Sequence, residues 1–119
     1  MYISESDKTL IRQLIEKQLE AFQANDLATA LVLTSPKIQQ KFTPQEFSHI
    51  IRDKYGALLK ARSVMFRGFT LVNNFPALIA MIMDQEGNLV KVLFIVQHQP
   101  DYSWCIQGYE LVGINEKIF

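Results

Sequence analysis

The stretch Ala77-Leu78-Ile79-Ala80-Met81-Ile82-Met83 is apolar at every position, and it decides how the rest of the chain can fold. A strand covered on one face alternates between apolar and polar residues, so a strand that is apolar throughout needs cover on both faces. The extended segment that follows it also carries apolar residues, Leu93 and Ile95, on the face opposite Phe94. The sequence therefore predicts a sheet with two apolar faces.

Four extended segments of this kind occupy the second half of the chain, and short turns separate them. They are rich in Val, Ile, Leu, Phe and Met, and they span residues 63–73, 77–84, 89–97 and 104–112. Short turns between consecutive strands predict an antiparallel meander.

The first half of the chain has helical periodicity. After a helix N-cap at Ser4, apolar residues recur at spacings of three and four and form one stripe of an amphipathic helix. Asp26 and Ser35 are further N-caps, for a short second helix and for a single turn that runs to Phe42. Thr43 and Glu46 form a capping box that opens a last helix, which ends near Gly56. Helices followed by a sheet predict an α+β fold, in one domain over residues 1–119.

One layer of helices covers one face of such a sheet. The second face is most simply covered by another copy of the chain, which predicts a homodimer paired through the sheet. The alternative is that the helices and the tail 114–119 wrap both sides. The residues predicted to face the partner are Met65, Arg67, Phe69, Ile79, Met81, Met83, Leu93 and Ile95.

Composition argues against several functions. Twelve basic residues balance twelve acidic ones, so the chain has no net charge to attract nucleic acid or a membrane surface. The longest apolar run, residues 76–83, is far shorter than the roughly 20 residues of a membrane-spanning helix. Cys105 is the one cysteine, so we expect no internal disulfide and a cytoplasmic location. His49 and His98 lie on different elements without an acidic partner, so we expect neither a metal nor another cofactor.

Several motifs resemble a known family over nearly the whole chain. They are Gln18-Leu19-Glu20-Ala21-Phe22, Asn25-Asp26, Leu33-Thr34-Ser35-Pro36-Lys37-Ile38-Gln39, and Trp104-x-Ile106-x-Gly108 in the last strand. The resemblance is to the domain of unknown function 4864 family, which is similar to the nuclear transport factor 2-like superfamily of cone-shaped, cystatin-like α+β domains. It implies three N-terminal helices packed on a curved antiparallel sheet of about four strands, often dimeric through the sheet. The family has no assigned activity, so it supplies no catalytic residue.

Four polar residues are candidates for lining a cavity inside the cone: Gln18, Tyr55, His98 and Tyr109. Gln18 lies on the apolar stripe of the first helix, where a buried amide needs a hydrogen-bond partner. Each candidate also has a structural interpretation. Gln18 can bond to backbone or water, the tyrosines can lie at the core edge, and His98 can simply end its strand.

No pair of a buried carboxylate and a histidine can be identified, so the sequence predicts no catalytic residue. We expect a homodimeric, non-catalytic module that binds a hydrophobic small molecule or a protein partner. The alternative is a small enzyme of the isomerase, dehydratase or hydrolase type that acts within the cone cavity.

Overall fold

A computed structural model of the chain describes residues 3–112 and 116–117. Helices come first and an antiparallel sheet follows, so the predicted α+β class is confirmed. The helices are α1 (Glu5–Gln23), α2 (Leu27–Val32), α3 (Pro36–Lys41) and α4 (Pro44–Tyr55), followed by a 3-10 turn at Gly56–Leu58. The strands are β1 (Ser63–Val72), β2 (Phe75–Met83), β3 (Leu89–His98), β4 (Trp104–Leu111) and β5 (Glu116–Lys117), in that order across the sheet. Of the predicted tail cover, 114–119, only β5 lies within the described residues.

Side-chain caps set the helix starts, as the sequence predicts. The Ser4, Asp26 and Ser35 side chains each accept a hydrogen bond from a backbone N–H three residues later, at 3.1–3.4 Å. Thr43 and Glu46 form the reciprocal capping box, with distances of 3.2 and 2.9 Å. The predicted single turn after Ser35 is a complete six-residue helix, α3, so the described part of the chain has four α-helices rather than three.

The sheet is a meander of hairpins. A two-residue loop joins β1 to β2, and both of its residues, Asn73 and Asn74, have positive φ angles of 50° and 70°. This is the backbone of a tight type I′ hairpin, which asparagine tolerates. β2 begins at Phe75, two residues before the predicted start. It can include Pro76 because the pairing with β3 begins one residue later, at Ala77.

The helices pack on one face of the sheet, and the core lies between them. Leu78, Ala80 and Ile82 of β2 point to this face and are completely buried. Phe94 and Val92 of β3, opposite Leu78 and Ala80, and Tyr109 of β4 are also completely buried, while Val90, opposite Ile82, is partly buried. Leu10, which the periodicity also predicts on the apolar stripe of α1, is 47% exposed. The helices contribute Ile11, Leu14, Ile15, Leu19, Phe22, Phe47 and Ile51 to the core.

A β-bulge in β1 changes which face its residues occupy. Phe66 and Gly68 pair with consecutive residues of β2, so Arg67 is an extra residue in the strand. One extra residue reverses the alternation beyond it. Phe69 therefore lies on the helix-covered face and packs against the core, while Met65 stays on the opposite face. The prediction that Phe69 shares a face with Met65 is wrong for this reason.

The turn between β2 and β3 makes fold stability depend on pH. The Asp84 carboxylate accepts hydrogen bonds from the backbone N–H groups of Glu86 and Asn88, each at 2.9 Å. These bonds, that from Asn88 above all, lower the pKa of Asp84 below its ordinary value of 3.8. A lowered pKa in the folded chain adds stability above pH 3.8, and this stability is lost as the pH falls through the folded value.

We expect Asp84→Asn to lower the melting temperature near neutral pH and to lose this penalty in acid, below the ordinary pKa of 3.8. Thermal unfolding of the variant and the unmodified chain across the acid range measures the difference. Asp53→Asn, on the exposed surface of α4, controls for the loss of one negative charge. A penalty from Asp84→Asn that stays constant into strong acid would contradict this account.

Candidate functional site

Two of the four cavity candidates meet inside the core. The Tyr109 hydroxyl donates a hydrogen bond to Oε1 of Gln18 at 2.5 Å, and both residues are 0% exposed. Gln18 Nε2 in turn donates to the backbone carbonyl of Ala30 at 3.0 Å. The Tyr109 ring also contacts Phe94 edge to face, with centroids 5.5 Å apart. This buried pair therefore links α1 to α2 and to β4.

The surroundings of the pair keep Tyr109 in its neutral form. Burial raises the pKa of Tyr109 far above its ordinary value of 10.0, and the hydrogen bond to Gln18 opposes this only in part. A neutral phenol inside a packed core acts as a hydrogen-bond donor, and here its acceptor is Gln18. The contacts of the two residues are those of a structural pair.

His98, a third cavity candidate, does not join this pair. His98 ends β3 on the exposed surface, where its ring stacks on Trp104 with centroids 4.6 Å apart. The Trp104 indole N–H donates to Asp7 at 3.3 Å. The Ser4 hydroxyl lowers the pKa of Asp7 most, burial opposes this, and Trp104 and the nearby His98 also lower it. The side chain of Tyr55, at the end of α4, lies outside the described residues.

The residues predicted for the dimer interface fall mostly on one surface. We call this surface the open face, and it comprises Met65 of β1, Ala77, Ile79, Met81 and Met83 of β2, and Leu93 and Ile95 of β3. Met65 is 56% exposed, and most of the others are partly exposed. Ala77 and Ile95 are buried, yet they lie outside the cluster that the helices form with the other face. Arg67 borders the open face, because its guanidinium donates to the Met65 sulfur at 3.4 Å.

A cleft that the sequence did not point to lies between α3, α4 and the ends of β3 and β4. Its volume is about 1030 Å³. Its charged lining residues within the described chain are all lysines, and amide and apolar side chains make up most of the rest. They are Lys37, Lys41 and Lys54; Gln97, Gln99 and Gln107; and Ile38, Phe42 and Ile50.

Gln107 stands out in this cleft because its amide oxygen is buried without a hydrogen-bond partner among the described residues. Ile95 pairs with Gly108 and Val96 with Ile106, so Gln107 is the extra residue of a bulge in β4. An unsatisfied buried acceptor costs about 1–3 kcal/mol. The sequence signal for this cleft is Gln97 and Gln99 at the end of β3 together with Gln107 within β4, and only the structure shows that they converge.

In the described part of the chain, no three or more His, Cys, Asp or Glu side chains lie close enough together to hold a metal ion. None of the helices found there is both long and apolar enough to cross a bilayer.

We expect Tyr109→Phe to lower the free energy of unfolding by about 1–3 kcal/mol, because Gln18 Oε1 is left buried without this donor. Urea unfolding measures the loss. Tyr102→Phe is the matched control, since Tyr102 is 79% exposed and a surface change of this kind stays within about 0.5 kcal/mol. The double variant with Gln18→Leu should lose less stability than the sum of the two single changes. Strictly additive losses would contradict the coupling.

Comparisons with known proteins identify the family of the chain and nothing more specific. Neither the curated proteins nor the solved structures contain a significant match. A family model described as a domain of unknown function, DUF4864, matches residues 4–118, which is nearly the whole chain. The chain therefore belongs to the domain of unknown function 4864 family, as its motifs suggested.

Proposed function

We propose that the chain is a single nuclear transport factor 2-like domain that functions as a homodimeric, non-catalytic module, paired through the open face. The order of elements supports the superfamily placement, because helices precede a meander and pack on one face of it. Cys105 is a free, buried thiol whose pKa is raised, mainly by burial, which suits a reducing, cytoplasmic location.

The observation that carries the pairing is the continuity of apolar side chains across the open face. Met65 pairs with Met81, and Ile79 pairs with Leu93, so these side chains lie side by side on three neighbouring strands. Partly exposed apolar side chains that are continuous over three strands are typical of a protein interface. The two sides of a twofold interface are the same surface, so an apolar patch of this kind complements itself.

The charges on this side of the sheet also suit a second copy. Lys91 lies opposite Met81, and Glu110 lies opposite both Leu93 and Lys117, so this side of the sheet carries groups of both signs. The ion pair found among the described residues joins Lys8 to Glu5 and involves neither Lys91 nor Glu110. A twofold axis can bring Lys91 of one copy near Glu110 of the other, which would set the orientation of the pair.

The buried Gln18–Tyr109 pair supports the non-catalytic part of the proposal. An enzyme acting within the cone would need its polar groups to reach a substrate, but these two are 0% exposed and bonded to each other. His98 is stacked on Trp104 at the surface, away from them. Among the described residues, no geometric observation therefore favours the isomerase-like alternative.

We expect the chain to have the mass of two copies at micromolar concentration, and Met81→Glu to reduce it to the mass of one. The glutamate would bury a charge in the proposed interface, while Lys91, its cross-strand neighbour, offers it an ion pair in the separate copy. Light scattering coupled to gel filtration measures the mass, and circular dichroism checks that the variant is folded.

Leu10→Glu is the matched control, because Leu10 is 47% exposed on α1, on the helical side of the molecule. It should leave the mass at two copies. Met65→Glu provides a second test at a position that is 56% exposed and contributes little to the folding of one copy. A single-copy mass for the unmodified chain would overturn the pairing.

A further inference from the structure

We propose that the cleft between α3, α4 and the ends of β3 and β4 binds a small organic anion that has an apolar body and an N–H donor, the chemistry of an N-acyl amino acid. This inference goes beyond the proposed pairing. It is tested by binding rather than by mass, so either proposal can fail alone.

Lysines line the part of the cleft that α3 forms. Lys37 and Lys41 lie there, and no acidic residue lines the cleft among the residues described. A smaller hollow of about 480 Å³ at the end of α4 shows the contrast, since Asp53, Asp84 and Glu86 line it, and Lys54 lines both the hollow and the cleft. Two lysines on one wall of a concave site concentrate positive potential there, although the chain as a whole is neutral. The favoured ligand is therefore an anion.

Apolar side chains form another part of the cleft wall. Ile38 is buried, and Phe42 and Ile50 are half-buried where α3 meets α4. The Lys41 ammonium group lies 5.4 Å from the centre of the Phe42 ring, so a positive charge lies directly beside an apolar surface. A volume of about 1030 Å³ corresponds to the upper end of the range typical of small-molecule sites, about 300–1,000 Å³. A ligand with an apolar body next to its anionic group fits this wall.

The cleft wall also contains the buried amide oxygen of Gln107. A bulge directs this side chain into the cleft wall, and bulges are frequent where a strand must re-aim a side chain next to a site. Its oxygen lacks a donor among the described residues, although buried acceptors are almost always paired. Rotation of the Gln107 amide toward the cleft would let an N–H group of the ligand supply that donor, which distinguishes an N-acyl amino acid from a simple fatty acid.

The position of α3 supports a preformed cleft. The Ser35 N–H donates to the Ile106 carbonyl at 2.8 Å, and the Ile106 N–H donates to Leu33 at 2.9 Å. These bonds fix the start of α3 to the edge of β4, immediately before Gln107 in sequence. The wall that carries Lys37 and Lys41 is thereby held beside the bulge without a ligand.

The test is a calorimetric titration of the full chain with N-octanoylglycine and three analogues. Undecanoate has the same chain length but lacks the N–H group, N-octanoylglycinamide lacks the anion, and N-acetylglycine lacks most of the apolar body. We expect N-octanoylglycine to bind and each analogue to bind more weakly. Absence of binding by all four compounds, or equal binding by the neutral amide, would overturn the proposal.

Variants assign any binding to the cleft. Lys37→Gln combined with Lys41→Gln should weaken binding about threefold to tenfold, in keeping with the modest strength of exposed charge pairs. Lys17→Gln, on the exposed surface of α1, should leave the affinity unchanged. Gln107→Leu should remove the preference for N-octanoylglycine over undecanoate. Equal effects of the double variant and Lys17→Gln would place the binding elsewhere and overturn the assignment.

Discussion

The hydrogen bonds of Gln18 fix how the helical layer lies on the sheet. A glutamine amide at the centre of an apolar core is tolerated only when its oxygen and nitrogen both find partners, and here these are the Tyr109 hydroxyl and the Ala30 carbonyl. Sliding α1 along the sheet by one turn would move Gln18 by about 5.4 Å and break both bonds. Apolar packing alone would penalise such a slip less, because one apolar side chain can replace another. The polar pair thereby fixes the position of α1 on the helix-covered face, and the open face lies on the other side of the sheet.

Local sequence signals predict much of this fold. Ser4, Asp26, Ser35 and Thr43 begin their helices where the sequence predicts, because an N-cap depends only on residues within one turn of it. The first four strands and their order also follow from local signals, since asparagine and aspartate at the turns separate four apolar runs, whereas β5 lies in the segment expected to be a tail.

The two bulges could not be predicted in this way. Alternation along a strand assigns faces only while every residue pairs, and the extra residues Arg67 and Gln107 are visible only from the neighbouring strand. The first bulge moves Phe69 to the helix-covered face, and the second brings Gln107 into the cleft. The partner of Gln18 was also beyond prediction: the sequence shows that a buried amide needs a bond, but Tyr109 is 91 residues away.

Although twelve positive residues balance twelve negative ones, the two signs are unevenly distributed over the molecule. Asp7, Asp26, Glu46, Asp84 and Asp101 each have a lowered pKa because serine, threonine or asparagine groups in caps and turns hydrogen-bond to them. Carboxylates used in this way are held near the backbone and are not directed at lysines. Exposed charges interact over about 8–10 Å in physiological salt, so a ligand senses the groups around its site rather than the total. A neutral chain of this kind can therefore present a locally positive cleft beside Gln107. The zero net charge argues only against partners that are attracted by the electrostatic field of the whole molecule.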